Sequence, residues 1–330
     1  MAQESTCEAV VTEVPGHVTT RQLGLKALGP RDVLVRSLVS GVSTGTDKWV
    51  MQGTFVWVDI SYPSVPGYQV AGIIESVGSE VSGFRIGQSV AVTRAREYEG
   101  VASAWGTHAS RVVAEVAEVY DAEEIPAARA AFIVSAQVGY NGASRLQLEA
   151  GARVLVVGDG IIGSSAALAC TARGFNVLLA GRHDPRLELL QDVGLSTLNT
   201  RTGAPDAIAK FSPNAVIDTV QSEEAFAAYS PALPPRGGQL VYSGHSPGGI
   251  TAWADMAVLQ KRELSVHFVS GTTRPRLEAT LALMRQGLMP CERLVGAMAD
   301  SREGARELMA DVMHGRLRPV AAAIDWSWAQ

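Results

Sequence analysis

The chain has 330 residues, more than one ordinary hydrophobic core organises, so two domains are expected. Hydrophobic residues make up 47% and charged residues 18%, a balance that excludes a disordered chain. The net charge of -5 comes without a basic stripe or an acidic tail, which argues against nucleic acid as a partner.

In chain order, the polar, acidic start Met1–Thr6 lacks the basic residues and apolar run of a secretory signal. Short strands separated by turns follow: Val10–Val14 before Pro15-Gly16, an alternating Asp32–Val39, Gly72–Gly78 bracketed by glycines, and Gly83–Val92 as turn and strand. This spacing predicts a small, curled β domain. From about Glu123 helix and strand alternate, which predicts a parallel sheet covered on both faces. Its strands are Arg153–Val157, Asn176–Ala180, Ala215–Asp218, Gln239–Tyr242 and Leu264–Phe268, with a helix from Ile162 to Arg173 stopped by Gly174. The remainder alternates helix with a final strand, Val320–Ile324. No stretch is long and apolar enough to span a bilayer, so no membrane partner is expected. Cys7, Cys170 and Cys291 form no CxxC pair, which argues against a disulfide framework or thiolate cluster and for a cytoplasmic setting. His17, His108, His183, His245, His267 and His314 lack ligand spacing and read as ordinary surface or core residues.

Gly158-Asp159-Gly160-Ile161-Ile162-Gly163 follows an apolar strand and opens a helix. In that context Gly158 permits a tight turn, Gly160 lets backbone approach a pyrophosphate, and Gly163 lets helix pack closely on strand. The phosphate charge then meets the free N–H groups of the helix start, around Ile161 and Ile162. At the end of the next strand, where NAD-selective proteins carry an acid, this chain has Gly181-Arg182-His183. Gly181 leaves room for a 2'-phosphate and the Arg182 guanidinium neutralises it, so NADP(H) is the expected cofactor. The competing reading has Arg182 merely solvated and Asp184 serving the ribose.

The order of these pieces resembles the medium-chain dehydrogenase/reductase superfamily over nearly the whole chain. Ser43-Thr44-Gly45-Thr46-Asp47 is similar to C-G-[ST]-D, and Val65–Gly72 is similar to V-P-G-H-E-x-x-G. Gly78–Val92 resembles V-G-x-x-V-x-x-[FW]-x-x-G-D-x-V with Gln88 for the usual acid, and Lys261–Leu264 followed by Ser270 resembles the K-E-L segment beside the nicotinamide. The resemblance implies an α/β fold of two parts. A GroES-like β domain would take residues 1–122 and 268–330, and a doubly wound Rossmann domain would take residues 123–267, with Ser243 and Ser270 beside the cofactor. A homo-oligomer, dimer or tetramer, is also implied.

The chain departs from the family pattern at the metal. The places of the zinc ligands correspond to Thr44, Tyr68 and Val134, Gln69 replaces the acid beside the ligand histidine, and Thr93–Gly106 carries no cysteine for a structural zinc. The resemblance thus implies a zinc-independent member in which Tyr68 and Thr46 are candidates for the proton step, with Thr44 beside them. Asp47 matches the carboxylate that orients the ligand histidine, so it is expected to orient Tyr68. Arg318 resembles the arginine that pairs with this aspartate, and the pair reads as structural. The alternative for Tyr68 is a ring that fills the vacant metal space, tied to Asp47, without proton transfer.

Trp49 to Trp57 concentrates aromatic residues, and relatives place this segment over the substrate, so Trp49 and Trp57 are candidate substrate contacts. Tyr140 and Asn141 fall on a helix that lines the cleft in relatives. The function implied is reversible hydride transfer between NADP(H) and an alcohol/carbonyl pair on a medium-sized, apolar substrate. One alternative is NADPH-dependent reduction of a polarised C=C bond, as in zinc-free quinone and enoyl reductases. The other is a non-catalytic NADPH-binding protein. Ser40–Thr46 and Pro66–Tyr68 resemble the zinc-free branch containing the hydroxyethyl bacteriochlorophyllide dehydrogenases, which favours the first.

Overall fold

The computed structural model describes residues 6–202, 204–244 and 253–329, so the expectations for Met1–Ser5 and His245 lie outside the described residues. The chain divides into two units, Met1–Val134 with Val295–Gln330, and Ser135–Leu294.

The first unit opens with a hairpin of β1 (Thr6–Val14) and β2 (His17–Gly24). β3 (Asp32–Val42) buries Val33, Val35, Ser37 and Val39 at every second position, the strand period that puts one face into a core. α1 (Thr46–Gln52) follows it, then β4 (Ser64–Val65), β5 (Val70–Val77), β6 (Ser89–Val92), β7 (Ala102–Ser103), β8 (Arg111–Glu115) and β9 (Val119–Asp121). α2 (Ala127–Ala130) packs beside β3 and β5, which is why residues 123–134, read from the sequence with the parallel sheet, fall in this unit.

The second unit is a doubly wound parallel sheet. After α3 (Ile133–Ser144) come β10 (Arg153–Val157), α4 (Ile161–Ala172), β11 (Asn176–Gly181), α5 (Asp184–Asp192), β12 (Ser196–Asn199), α6 (Ala204–Phe211) and β13 (Ala215–Asp218). Then follow α7 (Glu223–Tyr229), β14 (Gln239–Ser243), α8 (Met256–Lys261), β15 (Ser265–Val269) and α9 (Arg274–Arg285). The strand order is β12-β11-β10-β13-β14-β15, all parallel. β13 is buried along its whole length, as a strand covered by helices on both faces must be. The sequence boundary at residue 267 cuts β15, whose residues pair with β14 as far as Val269, and the unit continues through α9 to Leu294.

The chain then returns to the first unit with β16 (Val295–Ala299), α10 (Arg302–His314) and β17 (Ala321–Asp325). β17 pairs antiparallel with β3, completing a seven-stranded sheet. α10 is capped by Ser301 Oγ, which accepts from Gly304 N at 3.1 Å, and ends at Gly315 in the left-handed conformation. Its buried face, Ala305, Leu308, Met309, Val312 and Met313, packs in one cluster with Val42, Met51 and Trp326. Cys7, Cys170 and Cys291 are buried, and burial pushes the Cys7 and Cys170 thiols up to about 12. Among the described residues no helix is long and apolar enough to cross a membrane.

Candidate functional site

In the second unit, β10 runs into a turn at Gly158, whose φ of +121° is a conformation that L side chains rarely adopt. A Cβ on Gly163 would stand 2.0 Å from the Gly158 carbonyl oxygen, so α4 packs this closely only with glycine there. Gly160 borders open space, with no atom within 4 Å of where a Cβ would lie, and Ile161 and Ile162 form the first turn of α4. Strand order reverses between β10 and β13, and ligands of doubly wound sheets bind at such a switch point. Open space at a bare helix start fits the pyrophosphate of a dinucleotide.

α3 lies along the same sheet: a Cβ on Gly142 would meet Ile217, Val241 and Ser243 at 3.5–3.8 Å. Asn141 Oδ1, Ser243 Oγ and both amide atoms of Gln137 are buried without a hydrogen-bond partner among the described residues. Such groups cost about 1–3 kcal/mol each unless a ligand or water satisfies them, so they mark a second place where a bound group fits. Gln137 is a residue that sequence reasoning missed. Tyr140 is half-buried one position before Asn141, and Ser270 is exposed immediately after β15.

At the end of β11, Gly181 is buried and the Arg182 side chain is exposed. Asp159, from the glycine turn, is buried beside them and accepts from the backbone N–H groups of Arg182 at 2.8 Å and His183 at 3.0 Å. Burial alone would raise its carboxyl. The hydrogen bonds from Arg182 and His183 and the Arg186 guanidinium outweigh that and hold it below the usual carboxylate value. Asp184 accepts from the side-chain amide of Asn199.

In the first unit, the Ser43–Thr46 loop leads from β3 into α1. Asp47 is buried, and its Oδ2 accepts from Ser43 N at 2.8 Å and lies 3.1 Å from His108 Nε2. His108 Nδ1 is 3.0 Å from Ser40 Oγ, which also accepts from Trp326 Nε1 at 3.1 Å. Two expectations are corrected here. Asp47 is engaged by His108 and Ser43 rather than by Tyr68 or Arg318, and Arg318 is exposed, with Nε donating to Gly315 O at 3.4 Å. The reason is the path of the chain into β8. His108 N donates to Pro66 O at 3.1 Å, and the imidazole lies so close under Gly67 that a Cβ there would come within 2.6 Å of it. The ring therefore meets the carboxylate from the core side. One histidine reads as an ordinary core residue from the sequence, yet it ties two candidate loops together.

Gln69 makes the other tie. Its Nε2 donates to Gly41 O at 3.2 Å, its Oε1 accepts from Val134 N at 3.1 Å, and its own N–H donates to Thr107 Oγ1 at 2.9 Å. The structure thus brings the Tyr68 and Val134 segments together, beside the strand end that precedes Thr44. The side chains at those three positions are two hydroxyls and a hydrocarbon, which do not fit a zinc ion, since zinc takes thiolate, imidazole or carboxylate donors. Among the described residues no group of three or more His, Cys, Asp or Glu is placed to hold a metal ion. Thr44 and Thr46 are half-buried, and Thr46 N donates to Ser43 Oγ at 3.2 Å.

Tyr68 is half-buried in a group of rings. It meets Trp105 edge-on at 6.1 Å, Trp105 meets Phe55 edge-on at 5.6 Å, and Phe55 lies 6.4 Å from Trp57, which is exposed. Trp49 sits on α1 with its ring against Gly45. Trp105, missed by the sequence reading, holds a φ of +65°, a backbone cost that a bulky residue sustains only where its surroundings enforce it. Its sequence signal is weak, since one tryptophan before a glycine reads as any turn.

Residues 29–125 match the alcohol dehydrogenase GroES-like domain family. The chain is similar to a zinc-type alcohol dehydrogenase-like protein of Schizosaccharomyces pombe, 28% identical over 52% of this chain and 54% of that protein, so it spans about half the length of this relative. It is also similar to the 2-desacetyl-2-hydroxyethyl bacteriochlorophyllide A dehydrogenase of Rhodobacter capsulatus, 34% identical over 28% of this chain and 30% of that one. A solved structure described as a zinc-binding dehydrogenase from Sinorhizobium meliloti 1021, bound to NADP, superposes with a TM-score of 0.85 over 97% of this chain and 99% of that one. At 19% identity that likeness is one of fold. The domain match lies in the first unit, and the solved structure shares the α/β fold of a GroES-like part and a parallel-sheet part.

Proposed function

We propose that the chain is an NADP(H)-dependent oxidoreductase that moves hydride between the nicotinamide and an alcohol/carbonyl pair on a medium-sized, apolar substrate, with side-chain hydroxyls rather than zinc handling the proton. The observation that carries this reading is the Gln69 amide, bonded to Gly41 O and Val134 N, which cross-ties the segments of Tyr68 and Val134 without a single anionic donor. With threonine at position 44 and tyrosine at 68, charge developing on a carbonyl oxygen has hydroxyl donors available to it in place of a cation.

The bound dinucleotide would supply or take up the hydride. Gly158, Gly160, Gly163 and the N–H groups of Ile161 and Ile162 suit its pyrophosphate, and Asn141 and Ser243 offer unsatisfied polar atoms. The exposed Arg182 guanidinium suits a 2'-phosphate. Tyr68 and Thr46 are the groups proposed to hold or move the proton. Asp47 and His108 keep the loop of Thr44 and Thr46 in place. The rings of Trp105, Phe55 and Trp57 favour a flat, apolar substrate over a small polar one.

The test is a panel of aryl and alkyl ketones, enones and quinones with NADPH, followed by nicotinamide absorbance. Turnover of ketones and of the matching alcohols with NADP+ is expected. Turnover of enones or quinones alone would assign C=C reduction instead, and silence with all of them despite tight NADPH binding would assign a non-catalytic role.

A further inference from the structure

Asp159 stands in the glycine turn after β10, yet its side chain serves the end of the neighbouring strand β11. Its Oδ2 accepts from Arg182 N at 2.8 Å and His183 N at 3.0 Å and lies 2.8 Å from His183 Nδ1. Its Oδ1 lies 3.1 Å from the same ring nitrogen and accepts from Arg186 Nη1 at 2.8 Å. A carboxylate offers about four lone-pair sites, and these contacts fill them. An acid is therefore present beside the end of β11, where ribose hydroxyls would call for one, but it has no acceptor capacity left for them. The approach also requires Gly181, because a Cβ there would lie 2.5 Å from Asp159 Cβ.

The two cations of this turn are placed differently. Arg186 is paired with Asp159, and Asp184 is engaged with Asn199. Arg182 is exposed, and its guanidinium has no hydrogen-bond or ion-pair partner among the described residues. A cation is thus held on the turn by its backbone while its head group stays unpaired.

Resting on the NADP(H) reading above, we propose that Asp159 is a positioning residue that sets the preference for NADP(H) over NAD(H). It pins the N–H groups of Arg182 and His183 and the guanidinium of Arg186, so that the turn presents Arg182 to a 2'-phosphate. Being filled, it also withholds an acceptor from the ribose hydroxyls of NAD(H).

The experiment measures dissociation constants for NADPH and NADH by nicotinamide fluorescence on the wild type, Asp159→Asn, Arg182→Ala and the double variant. The wild type binds NADPH more tightly than NADH by about tenfold or more, a ratio in line with one charge-assisted contact. Asp159→Asn weakens NADPH about tenfold and NADH by less than about threefold, and this loss disappears in the Arg182→Ala background because the two residues act through one contact. Arg186→Gln keeps the carboxylate and both backbone bonds, so it gives a smaller loss with the same selectivity and decides the matter if Asp159→Asn does not fold. A wild type that binds both cofactors equally overturns the cofactor reading and this inference with it. A wild type that prefers NADPH, with Asp159→Asn and Arg186→Gln weakening both cofactors alike or adding to Arg182→Ala, overturns the positioning role alone.

Discussion

Gln69 Oε1 accepts a hydrogen bond from the backbone N–H of Val134 at 3.1 Å, joining two segments 65 residues apart in sequence. The same amide donates to Gly41 O, so it uses one acceptor and one donor at once. A carboxylate in its place keeps the first bond and loses the second.

Gln69→Glu therefore sets an ionised acceptor against the Gly41 carbonyl in a fully buried position. The expected cost is about 3 kcal/mol or more, seen as a lower denaturant midpoint. An unchanged midpoint would mean that the amide donor contributes nothing.

His108→Ala removes the ring between Asp47 and Ser40 and leaves the Asp47 carboxylate with only the Ser43 N–H among its described partners. Lost packing and an under-satisfied buried carboxylate together give about 3 kcal/mol of destabilisation. Thermal unfolding followed by circular dichroism checks it, and a melting temperature within a degree of wild type would rule the tie out.

These two cross-ties show where sequence reading stops. The Gly158–Gly163 turn, the parallel strands and the helix after them are legible because a local pattern, an apolar run followed by spaced glycines, dictates them. The expectation that Thr44, Tyr68 and Val134 stand at the places of metal ligands comes only from a family resemblance. The partners of Asp47 are not legible, because His108 is 61 residues away and becomes a neighbour only when the chain before β8 runs back along Pro66 and Gly67. Asp159 is hidden for a related reason: its place in a glycine motif marks a turn, while its side chain serves the next strand. Domain boundaries shift because periodicity does not reveal that α2 packs on β3 or that β15 runs on to Val269.

Tyr68→Phe removes the hydroxyl and keeps the ring that meets Trp105. If the phenol takes part in the proton step, kcat falls about a hundredfold or more while NADPH affinity is unchanged. Pre-steady-state and equilibrium measurements separate the two quantities, and unchanged turnover would leave Tyr68 as packing only.

Asp159 predicts an acid-side effect whose sign follows from its lowered carboxyl. Folding favours its anion, so the stability it contributes is complete above the ordinary carboxylate pKa of about 3.9 and is lost as pH falls through the lowered value. Between about pH 5 and pH 3 the wild-type melting temperature falls more steeply than that of Asp159→Asn, whose amide does not titrate. Parallel slopes would contradict the assignment.

The most direct test of the central claim is metal content measured alongside activity. Protein purified without added metal and then dialysed against a strong chelator is assayed for zinc by mass spectrometry and for NADPH-linked turnover. No stoichiometric zinc is expected before dialysis, and turnover is expected to be the same after it. One zinc per chain, removed by the chelator together with the activity and restored with it, would show that zinc rather than side-chain hydroxyls serves the proton step.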